Sequence, residues 1–140
     1  MRISTRGEYG VRAMVYMALN YLDGDIPLSR IALEENISQQ YLEQIFSPLR
    51  QSGLINSKRG AKGGYTLARS PEKIFVGDII RALEGPIAPV ECVSDQKKNE
   101  DCRCGKSDNC LARQVWEKLR DHINELLNDI SLQDMLDWKH

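Results

Sequence analysis

Residues 38–53 read SQQYLEQIFSPLRQSG and predict a helix with one buried face and one exposed face. Ser38 is a residue type that caps a helix start by accepting a hydrogen bond from a free main-chain N–H, and Gly53 is a type that ends one. The exposed face carries glutamine and glutamate, which can pair with base edges in the major groove of DNA. The apolar residues recur at steps of three and four, as a buried helix face requires, and they are Leu42, Ile45, Phe46 and Leu49.

Two further helices are predicted before this one. Apolar residues between positions 9 and 22 recur at helical spacing, and Ser4 or Thr5 can cap the start of that helix. A short second helix starts at Leu28 and ends in a tight turn at residues 35–36. A short turn between two helices is the arrangement of a helix-turn-helix.

A basic hairpin is predicted after the third helix. Two short strands, at residues 54–57 and 65–68, flank a glycine-rich loop. Residues 50–69 hold five Lys or Arg and no Asp or Glu, although the net charge of the whole chain is -1. Another amphipathic helix follows and ends at residues 85–86. We therefore predict a mainly α fold with a small β-hairpin wing, a winged helix-turn-helix DNA-binding domain at residues 1–86.

The rest of the chain is predicted to contain a loop and a dimerisation helix. Residues 87–110 lack apolar periodicity and form the loop, whereas residues 111–140 form a long helix and a short one capped by Ser131. Alternating steps of four and three are typical of a helix that packs along a partner helix, so we expect a homodimer, with a contact inside the chain's own core as the alternative. The apolar residues with this spacing are Ala112, Trp116, Leu119, Ile123, Leu126 and Ile130.

Composition excludes several classes of protein. With 41% hydrophobic and 28% charged residues in 140 positions, the chain is expected to fold as a globular protein. Without a long apolar window or a signal-peptide core, it is expected to be cytoplasmic and to have no membrane partner. Because no Ser/His/Asp set, phosphate loop or paired-carboxylate site is present, an enzyme is not expected, and Cys102 with Cys104 offers only a dithiol.

The candidate DNA-binding residues lie in the third helix and in the hairpin loop. Glutamine can read adenine and glutamate can accept from cytosine, while Arg59 can enter a minor groove from a glycine-rich tip. The other cations can neutralise phosphates of double-stranded DNA. The alternative is that the polar helix face is only solvated. The predicted set is Ser38, Gln39, Gln40, Tyr41, Glu43, Gln44, Arg50, Lys58, Arg59, Gly60 and Lys62.

Four cysteines fall within 19 positions, at Cys92, Cys102, Cys104 and Cys110. In a reducing compartment such a cluster indicates a metal or redox site before a disulfide framework. Thiolates are the ligands that iron–sulfur clusters require. Zinc, a disulfide switch and a metal-free thiol sensor are the alternatives, although no Cys-x-x-Cys pair is present.

Several motifs together resemble the IscR type of iron–sulfur cluster-binding transcriptional regulators, a winged helix-turn-helix family that includes IscR, NsrR and CymR. The resemblance implies a homodimer that places each 41–44 segment in a major groove and each Arg59 in a minor groove, with Glu43 setting the accepted operator class. It also implies a cluster of the 2Fe-2S type. The motifs are MRISTRGEYG at 1–10, YLEQ at 41–44, GL at 53–54, RG at 59–60, GGY at 63–65 and GDII at 77–80.

By this resemblance, three loop cysteines are cluster ligands, the last two separated by five residues, which selects Cys92, Cys104 and Cys110. Arg113 stands where such proteins often have a histidine ligand, and a guanidinium cannot bind metal. The resemblance makes Glu8 of the opposite subunit the first choice for the fourth ligand, with Cys102 and water as alternatives. Glu8 could also be an exposed residue that suits the helix dipole.

The sequence thus predicts a homodimeric DNA-binding transcriptional regulator, a repressor or an activator, whose operator binding is controlled by an iron–sulfur cluster. We expect it to regulate cluster-assembly or cysteine-supply genes. One alternative is a nitric-oxide or redox-sensing repressor on the same scaffold, and another is a metal-independent regulator that binds a biosynthetic enzyme partner. In the expected mechanism, binding of the cluster orders residues 92–110 and shifts the dimer helices. This shift changes the spacing of the two recognition helices.

Overall fold

The computed structural model describes residues 2–90 and 111–138, and in these it confirms the mainly α fold with a β-hairpin and a long C-terminal helix. None of the described helices combines the length and hydrophobicity that a membrane span requires. The elements are α1 (Thr5–Leu19), a 3-10 helix (Tyr21–Asp23), α2 (Leu28–Glu35), α3 (Gln39–Gln51), β1 (Ile55–Lys58), β2 (Gly64–Leu67), a second 3-10 helix (Pro71–Lys73), α4 (Val76–Glu84), α5 (Leu111–Asp129) and α6 (Leu132–Asp137).

Helix α1 is capped as predicted but ends earlier than its apolar pattern indicates. The Ser4 side chain accepts from the Gly7 N–H at 3.2 Å. At the other end Asn20 is the C-cap: its main-chain N–H makes a last helical hydrogen bond to the Tyr16 carbonyl, and its side-chain amide donates to the same carbonyl. Leu22, expected on the buried face, therefore lies in the 3-10 helix and is 94% exposed.

The turn and the recognition helix form as the sequence predicts. Asn36 adopts a left-handed conformation with φ of 53°, and the Ile37 N–H donates to the Ala32 carbonyl at 3.0 Å. The Ser38 hydroxyl then accepts from the Tyr41 N–H at 3.1 Å and caps α3. The helix continues through Pro48, and its four predicted apolar residues are all buried.

The hairpin is tied to the connection between α1 and α2. Strands β1 and β2 pair in antiparallel register from Ile55 opposite Leu67 to Lys58 opposite Gly64, close to the predicted bounds. The N–H of Ile26 donates to the Tyr65 carbonyl at 2.9 Å, and the Tyr65 N–H donates to the Ile26 carbonyl at 2.8 Å. These two hydrogen bonds hold β2, near the loop end of the hairpin, beside the chain that leads into α2.

Gly64 allows β2 to lie close to the chain at residues 26–27, because a Cβ on Gly64 would collide with main-chain atoms of Ile26 and Pro27. We expect Gly64→Ala to lower the free energy of unfolding by about 1–3 kcal/mol, since main chain cannot move aside as a side chain can. Chemical denaturation measures the loss. Ala61→Gly, an exposed change in the same hairpin, should stay within about 0.5 kcal/mol of wild type, and an equally stable Gly64→Ala protein would refute the expectation.

The hydrophobic core joins the N-terminal helices to the C-terminal end of the chain. Leu132 of α6 is fully buried in the same cluster as Met14, Phe46 and Ile79. Ser131 caps α6 by accepting from the Asp134 N–H at 3.0 Å, as the sequence predicts. Helix α6 therefore completes the core beneath α1, whereas no residue of α5 belongs to this core.

Candidate nucleic-acid interface

Helix α3 presents a polar surface opposite its buried face. Apart from the Ser38 hydroxyl, which accepts from the Tyr41 N–H, the polar side chains here make no hydrogen bonds to other described residues, so their donors and acceptors are available to base edges. Burial of the opposite face holds the helix in one orientation, which keeps this surface outward. The exposed residues at its N-terminal end are Ser38, Gln39, Gln40, Glu43 and Gln44.

Tyr41 differs from these neighbours because it is half-buried against α1. Its ring meets the ring of Tyr9 edge-on, with centroids 5.8 Å apart and planes at 85°. The Arg12 guanidinium lies 5.2 Å from the centroid of the Tyr9 ring and donates to the Glu35 carbonyl at 2.6 Å, at the turn before α3. Tyr9 and Arg12 therefore support the start of α3.

Sequence reasoning missed this support for the recognition helix. The i, i+3 spacing of Tyr9 and Arg12 was its only local signal, because residues at that spacing are neighbours on a helix. Their contacts with Tyr41 and Glu35 join positions more than twenty residues apart, so helical periodicity could not indicate them.

The hairpin places its cations at an exposed tip. Lys58 ends β1, and Arg59 and Lys62 are exposed beyond it. Gly60 has a φ of 113°, which favours glycine, and the Gly63 N–H donates to the Gly60 carbonyl at 3.0 Å, which tightens the loop. Three glycines, Gly60, Gly63 and Gly64, follow Arg59, and of these only Gly60 has a positive φ.

Two contacts hold the hairpin beside α3. The ring of Tyr65 on β2 meets the ring of Phe46 at a centroid distance of 4.8 Å and an angle of 71°. Arg50, near the end of α3, donates from Nη1 to the Ser57 hydroxyl on β1 at 3.4 Å. The helix surface and the basic tip are therefore parts of one body and can approach a duplex together.

The metal-site candidates are only partly described. Cys92, Cys102, Cys104 and Cys110 lie outside the described residues. Glu8 is exposed in the first turn of α1, and its carboxylate makes no hydrogen bond or ion pair with the described residues. Residues 2–90 and 111–138 alone contain no group of three or more residues able to hold a metal ion.

Helix α5 exposes a row of large apolar side chains, and none of its residues is buried. Leu111 is 78% exposed and Leu126 is 60% exposed. With 3.6 residues per helical turn, the large exposed apolar residues of α5 fall on one side of the helix. The row consists of Leu111, Val115, Trp116, Leu119 and Leu126, and it is called the α5 row below.

The comparisons with known proteins cover nearly the whole chain. Residues 3–138 match the model of the Rrf2 family, described as an iron-dependent transcriptional regulator. The chain is 41% identical over 138 residues to the HTH-type transcriptional regulator CymR of Bacillus subtilis, covering 99% of this chain and 91% of that protein. It is 39% identical over 139 residues to the HTH-type transcriptional regulator IscR of Pectobacterium carotovorum, covering 99% and 81%.

Solved structures show the same similarity in three dimensions. CymR (YrzC), the global cysteine regulator of B. subtilis, superposes with a TM-score of 0.80 at 40% identity, over 100% of this chain and 99% of that chain. IscR of T. potens superposes with a TM-score of 0.77 at 42% identity, over 97% and 86%.

Proposed function

Because the chain belongs to the Rrf2 family of DNA-binding transcriptional regulators, we propose that it acts as a homodimer whose operator binding is controlled by an iron–sulfur cluster. The target genes that we propose are those of cluster assembly or cysteine supply. Family membership confirms the predicted resemblance and the prediction that the chain is a regulator and not an enzyme.

In the proposed DNA complex, the exposed end of α3 enters a major groove. The side chains of Gln39, Gln40 and Gln44 read adenine edges, and the Glu43 carboxylate accepts from cytosine. Tyr41 contacts the duplex with the part of its side chain that Tyr9 leaves open. The Ser38 cap lies at the helix start, where a recognition helix meets the bases.

The hairpin tip supplies the electrostatic part of binding. Arg59, beside Gly60, enters the adjacent minor groove, where the narrow groove concentrates negative potential. Arg50, Lys58 and Lys62 neutralise phosphates on either side. The observation that carries this proposal is the attachment of the tip to α3 through Phe46 and Tyr65, because one rigid body can then engage both grooves.

The α5 row supports the homodimer. Five large apolar side chains on one helix face expose more apolar surface than scattered single residues do, and such a patch indicates an interaction site. A second copy offers the same row, and two such helices bury each other's apolar side chains along a shared seam.

The cysteine-rich segment, residues 92–110, and Glu8 form the proposed cluster site. Thiolates of Cys92, Cys104 and Cys110 hold the cluster, and the carboxylate of Glu8 of the partner subunit completes the set. An exposed carboxylate without an ion pair among the described residues is free to serve as a ligand, which supports this role. The amount of bound cluster depends on the supply of iron and sulfide and on oxidants, so its presence can report these conditions.

We expect protein purified without oxygen to contain iron and sulfide in equal amounts and to absorb visible light. In Glu8→Ala the visible spectrum should change, because a hard oxygen ligand is lost from the cluster. The measurement is absorption with iron, sulfide and zinc analysis. Glu34→Ala, at an exposed glutamate on α2, is the control and should match wild type. A colourless protein loaded with zinc would contradict cluster sensing and leave DNA binding in place.

A metal-independent regulator of cysteine supply is the second candidate. The 41% identity to CymR, whose B. subtilis form is described as the global cysteine regulator, favours it. Such a protein would bind operator without metal and would respond to oxidation of its cysteines or to a biosynthetic enzyme partner. Anaerobic protein that lacks iron and zinc yet binds duplex would favour this candidate, whereas a cluster destroyed by nitric oxide would favour the nitric-oxide sensor.

A further inference from the structure

Helix α5 is joined to the DNA-binding part of the chain by two kinds of contact. At its C-terminal end the contacts are main-chain: the Val76 N–H donates to the Ile130 carbonyl, and the Leu132 N–H donates to the Ile74 carbonyl, both at 2.9 Å. Within α5 itself the contacts are made by side chains. There Arg81 of α4 donates from Nη2 to Asn128 Oδ1 at 2.6 Å and from Nη1 to Asn124 Oδ1 at 3.3 Å.

Asn124 has a further contact that Asn128 lacks. Its Nδ2 donates to the Ile87 carbonyl at 3.0 Å, on the chain that leaves α4 toward residue 90. One side chain on α5 therefore holds both α4, through Arg81, and the main chain just before the cysteine-rich segment. The same segment is followed directly by α5. The chain before the segment is thus hydrogen-bonded to α5, and the chain after it is α5 itself.

Helix α4 in turn contacts the recognition helix through the core. Leu83 lies so close to Gly10 of α1 that a Cβ on this glycine would collide with it. Ile45 of α3 packs beside the same glycine. Because α4 also packs against α3 within the buried core, we expect a shift of α4 against α5 to be passed on to α3.

We infer that Asn124 is the positioning residue that transmits the state of the cysteine-rich segment to the recognition helix. This inference rests on the proposed function and adds its structural route. The Ile87 contact fixes the start of the segment, and the Arg81 contact passes a displacement of that start to α4. Asn128 contacts Arg81 but not the chain before the segment. It therefore stabilises the packing of α5 against α4 and does not transmit the state of the segment.

Two aspartate variants separate these roles. Asn124→Asp keeps the size of the side chain and its interaction with Arg81, but a carboxylate cannot donate to the Ile87 carbonyl. It also cannot donate to the Arg120 carbonyl, one turn earlier on α5, which Asn124 Nδ2 contacts at 2.8 Å. Asn128→Asp makes the same change of charge on the same helix against the same arginine, with no effect at Ile87. It is therefore a matched control for the added charge and for the Arg81 contact, and thermal unfolding of both variants measures any difference in helix stability.

The experiment compares the operator affinity of cluster-loaded and metal-free protein for wild type and both variants. The probe is a DNA duplex that wild type selects from a randomised pool. Coupling between two sites is commonly 5- to 150-fold, and we expect the wild-type ratio of affinities to fall in roughly this range. In Asn124→Asp the ratio should fall close to one while iron and sulfide content stay at the wild-type level, and Asn128→Asp should keep the wild-type ratio.

Different results would overturn the inference and the proposed function. A wild-type ratio that persists in Asn124→Asp, or that is lost equally in Asn128→Asp, would overturn the inference alone. Equal affinities of the two wild-type forms would overturn the proposed function and the inference with it. If thermal unfolding shows that Asn124→Asp does not fold, Asn124→Ala replaces it and Asn128→Ala, which also loses its contact with Arg81, becomes the control under the same criteria.

Discussion

Leu119→Glu is expected to convert the dimer into a monomer and to weaken binding to a full operator by roughly 100-fold or more. Leu119 lies in the middle of the α5 row and is 41% exposed in the single chain. In the proposed dimer its side chain faces apolar residues of the second α5, where a carboxylate would be buried without a partner. Light scattering measures the mass, and binding is measured on a selected duplex and on its half-site.

Leu22→Glu is the matched control for this variant. Leu22 is 94% exposed in the 3-10 helix after α1, far along the chain from α5, so the same substitution adds the same charge without touching the row. We expect it to remain dimeric and to bind the full operator as wild type does. The half-site should bind both variants equally, because each monomer keeps its recognition helix. A dimeric Leu119→Glu protein would refute the proposed interface.

Gln44→Ala is expected to remove the preference for one base pair in each half-site. A bidentate contact between a side-chain amide and adenine contributes about 1–3 kcal/mol of discrimination, or roughly 5- to 150-fold in relative affinity. Gln44 is exposed on α3, and its amide makes no hydrogen bond to the described residues, so it is available for this contact. Binding to duplexes with single base changes measures the preference at each position.

Gln51→Ala provides the comparison on the same helix. Gln51 is also an exposed glutamine, but it lies at the C-terminal end of α3, away from the end that meets the bases. Its removal should leave every base preference unchanged. If Gln44→Ala weakens binding equally to all sequences, Gln44 contacts the backbone, and its predicted role in base reading is wrong.

Local sequence patterns predicted the recognition helix almost completely. The Ser38 cap and the four buried residues of α3 are as expected, because capping and amphipathic spacing act within a few residues. The same pattern extended α1 too far, since it cannot indicate that Asn20 turns back to the Tyr16 carbonyl. Apolar spacing therefore identified the helices but did not locate the end of α1, where Asn20 forms the C-cap.

The sequence predicted which residue types form the candidate site, but it predicted only part of how these residues are arranged in space. The polar face of α3 and the basic hairpin were readable from composition and spacing. The support of α3 by Tyr9 and Arg12, and the contact of the hairpin with Ile26, were not readable, because each joins residues distant in sequence. The cysteine ligands of the proposed cluster remain a prediction from residue type, spacing and resemblance.

Residue order alone was enough to specify three N-terminal helices, a basic hairpin, a cysteine-rich segment and an apolar row on a long helix. Each of these depends on interactions over a few neighbouring positions, which repeat with the period of the helix or strand. Only the folded chain decided that Leu132 completes the core beneath α1 and that Asn124 joins α4 to the chain at Ile87. Such contacts depend on how separate elements pack in space, and no local period in the sequence encodes that packing.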